Sequence, residues 1–445
     1  MSLQGTRAVG VGLARSGVAA AEFLARRGAS VVATDVKRED QLPEDVLRLR
    51  ERGIRLDLGG HHLSTFAGAS MVVVSPGVPW DLPELEVARE SGAAVMAEIE
   101  LAFRHLEGHV VAVTGTKGKS TTTAALGSIL RAAGLDARVG GNIGSPLIGL
   151  VDDSTADTVF AVEVSSFQLE GTDRFCPHVA VWLNLTPDHL DRHPSLESYV
   201  AAKARVFARQ EPSDWAVVNA DDPVVLQQVQ EARSRRLPFR VTGEPLGEGD
   251  GAFFRDDGAW MRRDGVEERL FPRDAVKVPG LHLAGDLLVA AAAARLLGVD
   301  TAAVARGVEE FRGVEHVLEH VASVDGVAFF NDSKATNVAA VTRSLEAFDG
   351  RVLAILGGRY KGGDFALLAP PLRARGSKVL AIGEARERIA AALGGEVAVE
   401  TCASLREAVE RARTAAEPGD TVLLAPGCSS FDMFADYAER GRRFK

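Results

Sequence analysis

The chain has 445 residues, 46% of them apolar and 25% charged, with a formal net charge of −10. This length suggests about two to four domains, and the composition is ordinary for a soluble protein with several cores. The acidic balance excludes non-specific nucleic-acid binding, so anionic substrates must be met by local lysine, arginine or metal ions.

Residues 1–104 read as strand, glycine turn, helix, strand: RAVGVGL, ARSGVAAAEFLARRG, SVVATD, then the apolar run MVVVS at 71–75. This pattern predicts an open parallel sheet with a ligand crevice at the strand C-termini. The turn Gly10-Val-Gly12-Leu-Ala-Arg15-Ser16-Gly17 offers backbone N–H groups at a helix start, suited to a phosphate. A dinucleotide fingerprint needs a third glycine where Arg15 stands, which weakens a dehydrogenase reading. The other reading is a tight turn that only packs a helix. Asp35 ends the next strand, where a ribose or base contact can form.

Residues 105–312 form the second segment. Strand HVVAVT leads into Gly115-Thr116-Lys117-Gly118-Lys119-Ser120-Thr121, a shortened phosphate loop opening a helix. Glycines let N–H groups face phosphate, Lys119 reaches the β/γ oxygens, and Ser120 or Thr121 can ligate Mg²⁺. Lysine and asparagine are rare here, at nine and five residues, and two of those lysines sit in this loop. Asn142 lies in a GNIG turn, and Glu163 ends the strand FAVEVS. The strand VAVWLNL runs into Asp188, His189, Asp191 and His193. Strand ends on one sheet edge lie close together, so Glu163, His189 and hydroxyl oxygens are candidate hard ligands or supports for Mg²⁺ on ATP phosphates. Zn²⁺ is the poorer fit, because no cysteine accompanies them. Lys203 follows Tyr199 by four residues on a helix and taken alone reads as a solvated lysine. The alternation at 243–278 predicts hairpins.

Residues 313–445 hold three more strand-to-loop units. In FFNDSKATN, Asp332, Ser333, Lys334, Thr336 and Asn337 follow an apolar strand within six residues, where a zwitterion or phosphate can be read. ILGGRYKGGDF carries Lys361, and LLAPGCSSFDMF presents Ser429 and Ser430 after Pro-Gly. Cys428 lacks a histidine partner pattern and reads as a small structural residue. Three scattered cysteines give no disulfide framework and point to a reducing compartment. The Ala-rich run 287–298 is shorter than the roughly 20 residues that span a bilayer, and the N-terminus has no signal-peptide plan. A cytoplasmic protein without membrane insertion, and a monomer, is expected.

GTKGKST, GNIG, SSFQLE, LTPDHLDRH, YVAAK, NDSKATN and PGCSSFDMF together resemble the Mur ligase family over essentially the whole chain. SSFQLE and NDSKATN are similar to the branch that adds D-glutamate. The resemblance implies three α/β domains: a Rossmann-like UDP-binding domain (1–104), a central P-loop-type ATPase domain with a parallel sheet (105–312) and a Rossmann-like C-terminal domain (313–445). It implies that Ser16, Asp35, Ser75 and Gly77 meet the UDP-sugar, UDP-N-acetylmuramoyl-L-alanine, and that 115–121 bind ATP. It further implies two Mg²⁺ ions on Ser120, Glu163, His189 and a carbamylated Lys203, with Asn142 and Ser165 near substrate and metal. Asp332 matches an ATP contact. Lys334, Thr336, Lys361, Ser430 and Tyr437 match positions around D-glutamate or the product.

The chain departs from that pattern at Leu283 and Asp286, where the family carries asparagines. Val317 replaces an arginine, and Tyr360 a loop aspartate. Losing the arginine removes a charge-assisted phosphate contact of about 1.5–3 kcal/mol. These departures predict normal UDP-sugar binding with poor use of ATP. They also keep open a non-catalytic UDP-sugar-binding relative; a ligase of the family for another amino acid is a further alternative, while one that adds glutamates to folate is weakened by SSFQLE and the UDP-like first domain.

Overall fold

The computed structural model describes residues 3–190, 192–242, 246–247 and 249–445. It parts into two compact units, one of residues 1–275 with 286–310, the other of 276–285 with 311–445.

The first unit carries two sheets. Strands β1 (Arg7–Val11), β2 (Ser30–Asp35), β3 (Arg55–Leu58), β4 (Met71–Val74) and β5 (Ala94–Ala97) form an all-parallel sheet in the order β3-β2-β1-β4-β5. Chain order reverses between β1 and β4. The crevice therefore opens above their C-terminal ends, at Gly10–Gly17 and Ser75–Gly77.

The second sheet comprises β6 (His109–Thr114), β7 (Ala137–Gly141), β8 (Val159–Glu163), β9 (Val179–Trp182), β10 (Trp215–Asn219), β11 (Arg235–Arg240), β12 (Gly251–Arg255), β13 (Gly258–Arg263) and β14 (Val266–Pro272). Its order is β14-β13-β12-β11-β10-β9-β6-β8-β7. The β7-to-β12 part is parallel, and β12, β13 and β14 make the antiparallel meander expected near 243–278. Here the reversal lies between β6 and β9.

Strands such as VVAV in β6 and MVVV in β4 are buried on both faces, which is why they read as unbroken apolar runs rather than alternation. Each such valine contributes roughly 1.5–3 kcal/mol relative to exposure. One continuous core joins both sheets, running from Phe23, Leu24 and Met71 through Ile99 and Leu101 to Val110, Phe160 and Trp182.

The second unit holds β15 (Glu319–Val324), β16 (Val327–Asn331), β17 (Val352–Gly357), β18 (Lys378–Ile382), β19 (Ala398–Thr401) and β20 (Thr421–Leu424), ordered β15-β16-β20-β17-β18-β19. All pairs are parallel except the β15–β16 hairpin. No helix among the described residues is long and apolar enough to cross a membrane.

Candidate active site

The phosphate loop leaves β6 and enters the helix Lys119–Ala132, with Gly118 as N-cap at φ 84°. Gly115 has φ 149°, and a side chain there would press on Leu183 Cβ at 3.0 Å, so glycine is required by backbone and space alike. Asn184 at the end of β9 braces the loop. Its Oδ1 accepts from the N–H groups of Thr116 (3.2 Å) and Lys117 (2.9 Å), and its Nδ2 donates to the Lys117 carbonyl at 3.1 Å. Lys119 Nζ turns back to donate to the carbonyls of Gly115 and Thr116, both at 3.0 Å. Thr116 Oγ1 donates to the Thr186 carbonyl at 3.1 Å and lies 3.2 Å from Tyr199 Oη. Thr121 is buried in the first helical turn.

Glu163 is buried at the end of β8. Its Oε2 accepts from Ser120 Oγ at 2.7 Å, its Oε1 from Asn142 Nδ2 at 2.9 Å. Two of the expected metal-site residues and one expected substrate residue thus meet on one carboxylate. Ser165 caps the helix Ser166–Glu170, accepting from the Gln168 N–H. His189, exposed with φ 56°, packs edge-on to Phe167 at 5.0 Å between ring centroids. His193 is buried, stacks on Phe167 and lies 2.9 Å from Ser166 Oγ. Asp191 lies outside the described residues.

Lys203 is not a solvated helix lysine. It is 2% exposed, with Nζ donating to the Gly115 carbonyl at 2.9 Å and lying 4.8 Å from the Tyr199 ring centroid. Desolvation, then the nearby Lys119 charge, holds its pKa well below the usual lysine value. Burial also pushes the Tyr199 phenol up to about 12, so it stays a neutral hydrogen-bonding group.

In the N-terminal crevice, Ser16 is half-buried in the first turn of the helix Arg15–Arg26. Asp35 accepts from the N–H groups of Leu13 (2.7 Å) and Lys37 (2.9 Å), which fixes both turns to the end of β2. Ser75 Oγ donates to the Gly12 carbonyl at 2.8 Å, and the Gly77 carbonyl accepts from Arg192 Nη1 at 2.8 Å.

In the second unit, Asp332 is buried and accepts from the Leu318 N–H at 3.3 Å and from Ser344 Oγ. Lys334 is exposed, Thr336 half-buried, and Asn337 caps the helix Val338–Glu346. Lys361 is exposed, with Nζ 5.5 Å from the Phe431 ring centroid. Ser430, next to Phe431 in sequence, is buried, and Tyr437 is half-exposed against His316. Burial pushes the Cys428 thiol up to about 12, which fits a structural role.

Sequence reasoning passed over Arg440. It is fully buried, with Nε donating to Ser333 Oγ (2.9 Å), Nη2 to the Ser333 carbonyl (2.8 Å) and Nη1 to the Cys428 carbonyl (3.1 Å). It clamps the loop bearing Lys334 and Thr336 to the loop bearing Ser430. Asn184 and Arg192 were also missed. Asparagine rarity was the available signal for Asn184; arginine is too common in this chain to signal anything.

The sequence matches the family descriptions "Mur ligase MurD-like, N-terminal domain" at 6–97, "Mur ligase middle domain" at 113–294 and "Mur ligase, glutamate ligase domain" at 318–428. The chain belongs to the Mur ligase family. This Mur ligase is 46% identical to the UDP-N-acetylmuramoylalanine--D-glutamate ligase of Acidobacterium capsulatum, covering 100% of this chain and 96% of that one. It is 45% identical to the enzyme of the same name from Geotalea daltonii, over 100% and 97% of the two chains. Among solved structures, its fold is similar to the UDP-N-acetylmuramate-alanine ligase of Thermotoga maritima (TM-score 0.61, 20% identity, 98% of each chain). It is also similar to E. coli FolC in complex with ADP (TM-score 0.58, 20% identity, 78% of this chain and 91% of that one). With the three matched family domains, these likenesses establish a three-domain α/β fold.

Proposed function

We propose that this Mur ligase joins D-glutamate to UDP-N-acetylmuramoyl-L-alanine at the expense of ATP, in the cytoplasmic assembly of peptidoglycan precursors, and acts as a monomer. The observation that carries the reading is the meeting of Ser120, Glu163 and Asn142 beside the phosphate loop, with buried Lys203 bonded to the Gly115 carbonyl of the same loop. The proposed domains, 1–104, 105–312 and 313–445, each contain one sheet.

The terminal carboxylate of the UDP-sugar attacks the γ-phosphorus of ATP, giving an acyl phosphate and ADP. The amine of D-glutamate then adds to the acyl carbon, phosphate leaves from the tetrahedral intermediate, and the amine gives up a proton. Both steps demand positioning and charge neutralisation more than covalent help. Lys119, freed from its loop carbonyls, is placed to follow the transferring phosphoryl group. Ser16, Asp35, Ser75 and Gly77 hold the UDP-sugar. Lys334, Thr336, Lys361, Ser430 and Tyr437 hold the amino acid. Asp332 meets the nucleotide.

The hard oxygens of Ser120 and Glu163 suit Mg²⁺, with His189 completing the set and a carbamate on Lys203 serving a second ion. Mg²⁺ there supplies charge neutralisation on the phosphate oxygens. A neutral amine is what CO₂ requires for carbamylation, and the depressed pKa of Lys203 favours that form.

Phosphate release with ATP, Mg²⁺, UDP-N-acetylmuramoyl-L-alanine and D-glutamate, each omitted in turn, tests the assignment. ADP is expected only with the UDP-sugar present, and amide only with D-glutamate. Equal coupling to L-glutamate or L-alanine overturns it. One observation favours a second reading, a UDP-sugar-binding relative with weak ATP use: Asp286 is buried close to Gly118 of the phosphate loop.

A further inference from the structure

The crevice of the first sheet and the carboxylate edge of the second are tied by two arginines that cross in opposite directions. Arg15 stands beside Ser16 and donates through Nη1 to the Gly144 carbonyl at 3.1 Å. Gly144 closes the turn of Asn142, whose N–H meets the Glu163 carbonyl and whose Nδ2 meets Glu163 Oε1, each at 2.9 Å. Glu163 in turn accepts from Ser120 of the phosphate loop. An unbroken polar path therefore runs from the first glycine turn to the phosphate loop.

Arg192 crosses the other way. It follows the His189 loop and donates to the carbonyls of Gly77 (2.8 Å) and Val78 (3.1 Å). Its guanidinium lies 4.9 Å from the centroid of Phe167, the same ring that carries His189 and His193. The Phe167 carbonyl accepts from Trp80 Nε1 at 3.3 Å, a second tie to the 75–80 loop. That loop reaches back to the first glycine turn, where Ser75 Oγ holds the Gly12 carbonyl and Val78 covers Gly12. Neither Arg15 nor Arg192 forms an ion pair among the described residues. Arg15 gives one bond and Arg192 two to backbone carbonyls, contacts that set loop position.

We propose that Arg15 and Arg192 are positioning residues that couple the UDP-sugar crevice to the phosphate-loop and carboxylate edge, so that UDP-sugar and Mg·ATP each tighten the other's binding. The inference rests on the ligand assignments above. A ligand that settles the Ser16 and Ser75–Gly77 turns fixes Gly144 and the His189 loop through these forks. Linkage makes the effect reciprocal.

The test is equilibrium binding of a non-hydrolysable ATP analogue with Mg²⁺, measured with and without saturating UDP-N-acetylmuramoyl-L-alanine, and the converse titration. The wild-type chain is expected to show a coupling factor of about fivefold or more in both directions. In Arg15→Gln/Arg192→Gln, each ligand alone should bind within about twofold of wild type, which also reports correct folding, while the coupling factor falls towards one. A wild-type factor of one overturns the proposal. So does a double variant that keeps full coupling, or one that loses affinity for a single ligand with coupling unchanged. Failure of the wild-type chain to bind either ligand overturns the functional reading together with this one, and is told apart by the single-ligand titrations.

Discussion

The carboxylate of Asp286 lies against Gly118, close enough that a Cβ on that glycine would collide with its Oδ1. Asp286 is the single acidic residue in the helix Leu281–Leu296, whose residues 287–294 are fully buried. It therefore brings negative charge to the N-terminus of the phosphate-loop helix, the place built to receive phosphate.

Asp286→Asn is nearly isosteric and removes that charge. Alone or combined with Val317→Arg, it is expected to raise kcat/KM for ATP about tenfold or more, equivalent to ~1.4 kcal/mol. UDP-sugar affinity, read by calorimetry, should stay unchanged. No gain in a variant whose parent is already fully active means that another residue, such as Arg359 or Arg312, carries the phosphate charge.

Lys119→Ala should abolish nearly all turnover, since it removes the loop cation that follows the charge developing on the transferring phosphoryl group. Single-turnover ADP formation measures this directly. Retention of more than roughly a tenth of the rate contradicts the role.

Lys203→Ala should be inactive and partly rescued by short carboxylic acids, which replace the missing carbamate. Lys203 also leaves a signature in stability. Its folded pKa lies below its unfolded one, so between the two values the unfolded chain binds more protons, and stability rises with pH across that window. Denaturant melts in CO₂-free buffer should show this rise towards pH ~10 in the wild type and a flatter curve in Lys203→Met. Identical curves return Lys203 to a role without burial stress.

Arg440→Met removes three donors from buried oxygens of Ser333 and Cys428. A loss of about 2–4 kcal/mol in stability is expected. KM for D-glutamate should rise while UDP-sugar binding, measured separately, does not change. A variant with unaltered D-glutamate kinetics would show that the two loops hold their places without the clamp.

The sheets and the phosphate loop were legible because they depend on local pattern. Doubly buried strands appear as apolar runs, and Gly115, Gly118 and Lys119 meet a backbone and charge requirement within a few residues. Glu163 and Asn142 were legible as strand-end polar groups, although their hydrogen bond spans 21 positions. Lys203 taken alone was read wrongly, because its burial comes chiefly from the end of β6, 88 residues away, which helical periodicity does not record. Arg440 was invisible for the same reason: its partners lie 107 and 12 residues away, and nothing in YAERGRRF marks one arginine as buried. His189 and Asp188 were legible as a group, but not the part Arg192 plays three residues later on the Gly77 carbonyl.

The apolar core that passes without a break from Phe23 and Met71 to Val110 and Phe160 has a consequence for the chain's modularity. A fragment ending near residue 104 would expose the face of Ile99, Leu101 and Ala102 that this core covers, and would tend to aggregate rather than fold as an autonomous sugar-nucleotide binder. In recombination between relatives, a crossover inside residues 98–110 would splice mismatched apolar surfaces. The first two domains are thus heritable as a pair, and chimeras that exchange one without the other should express poorly even when every ligand-contacting residue is kept.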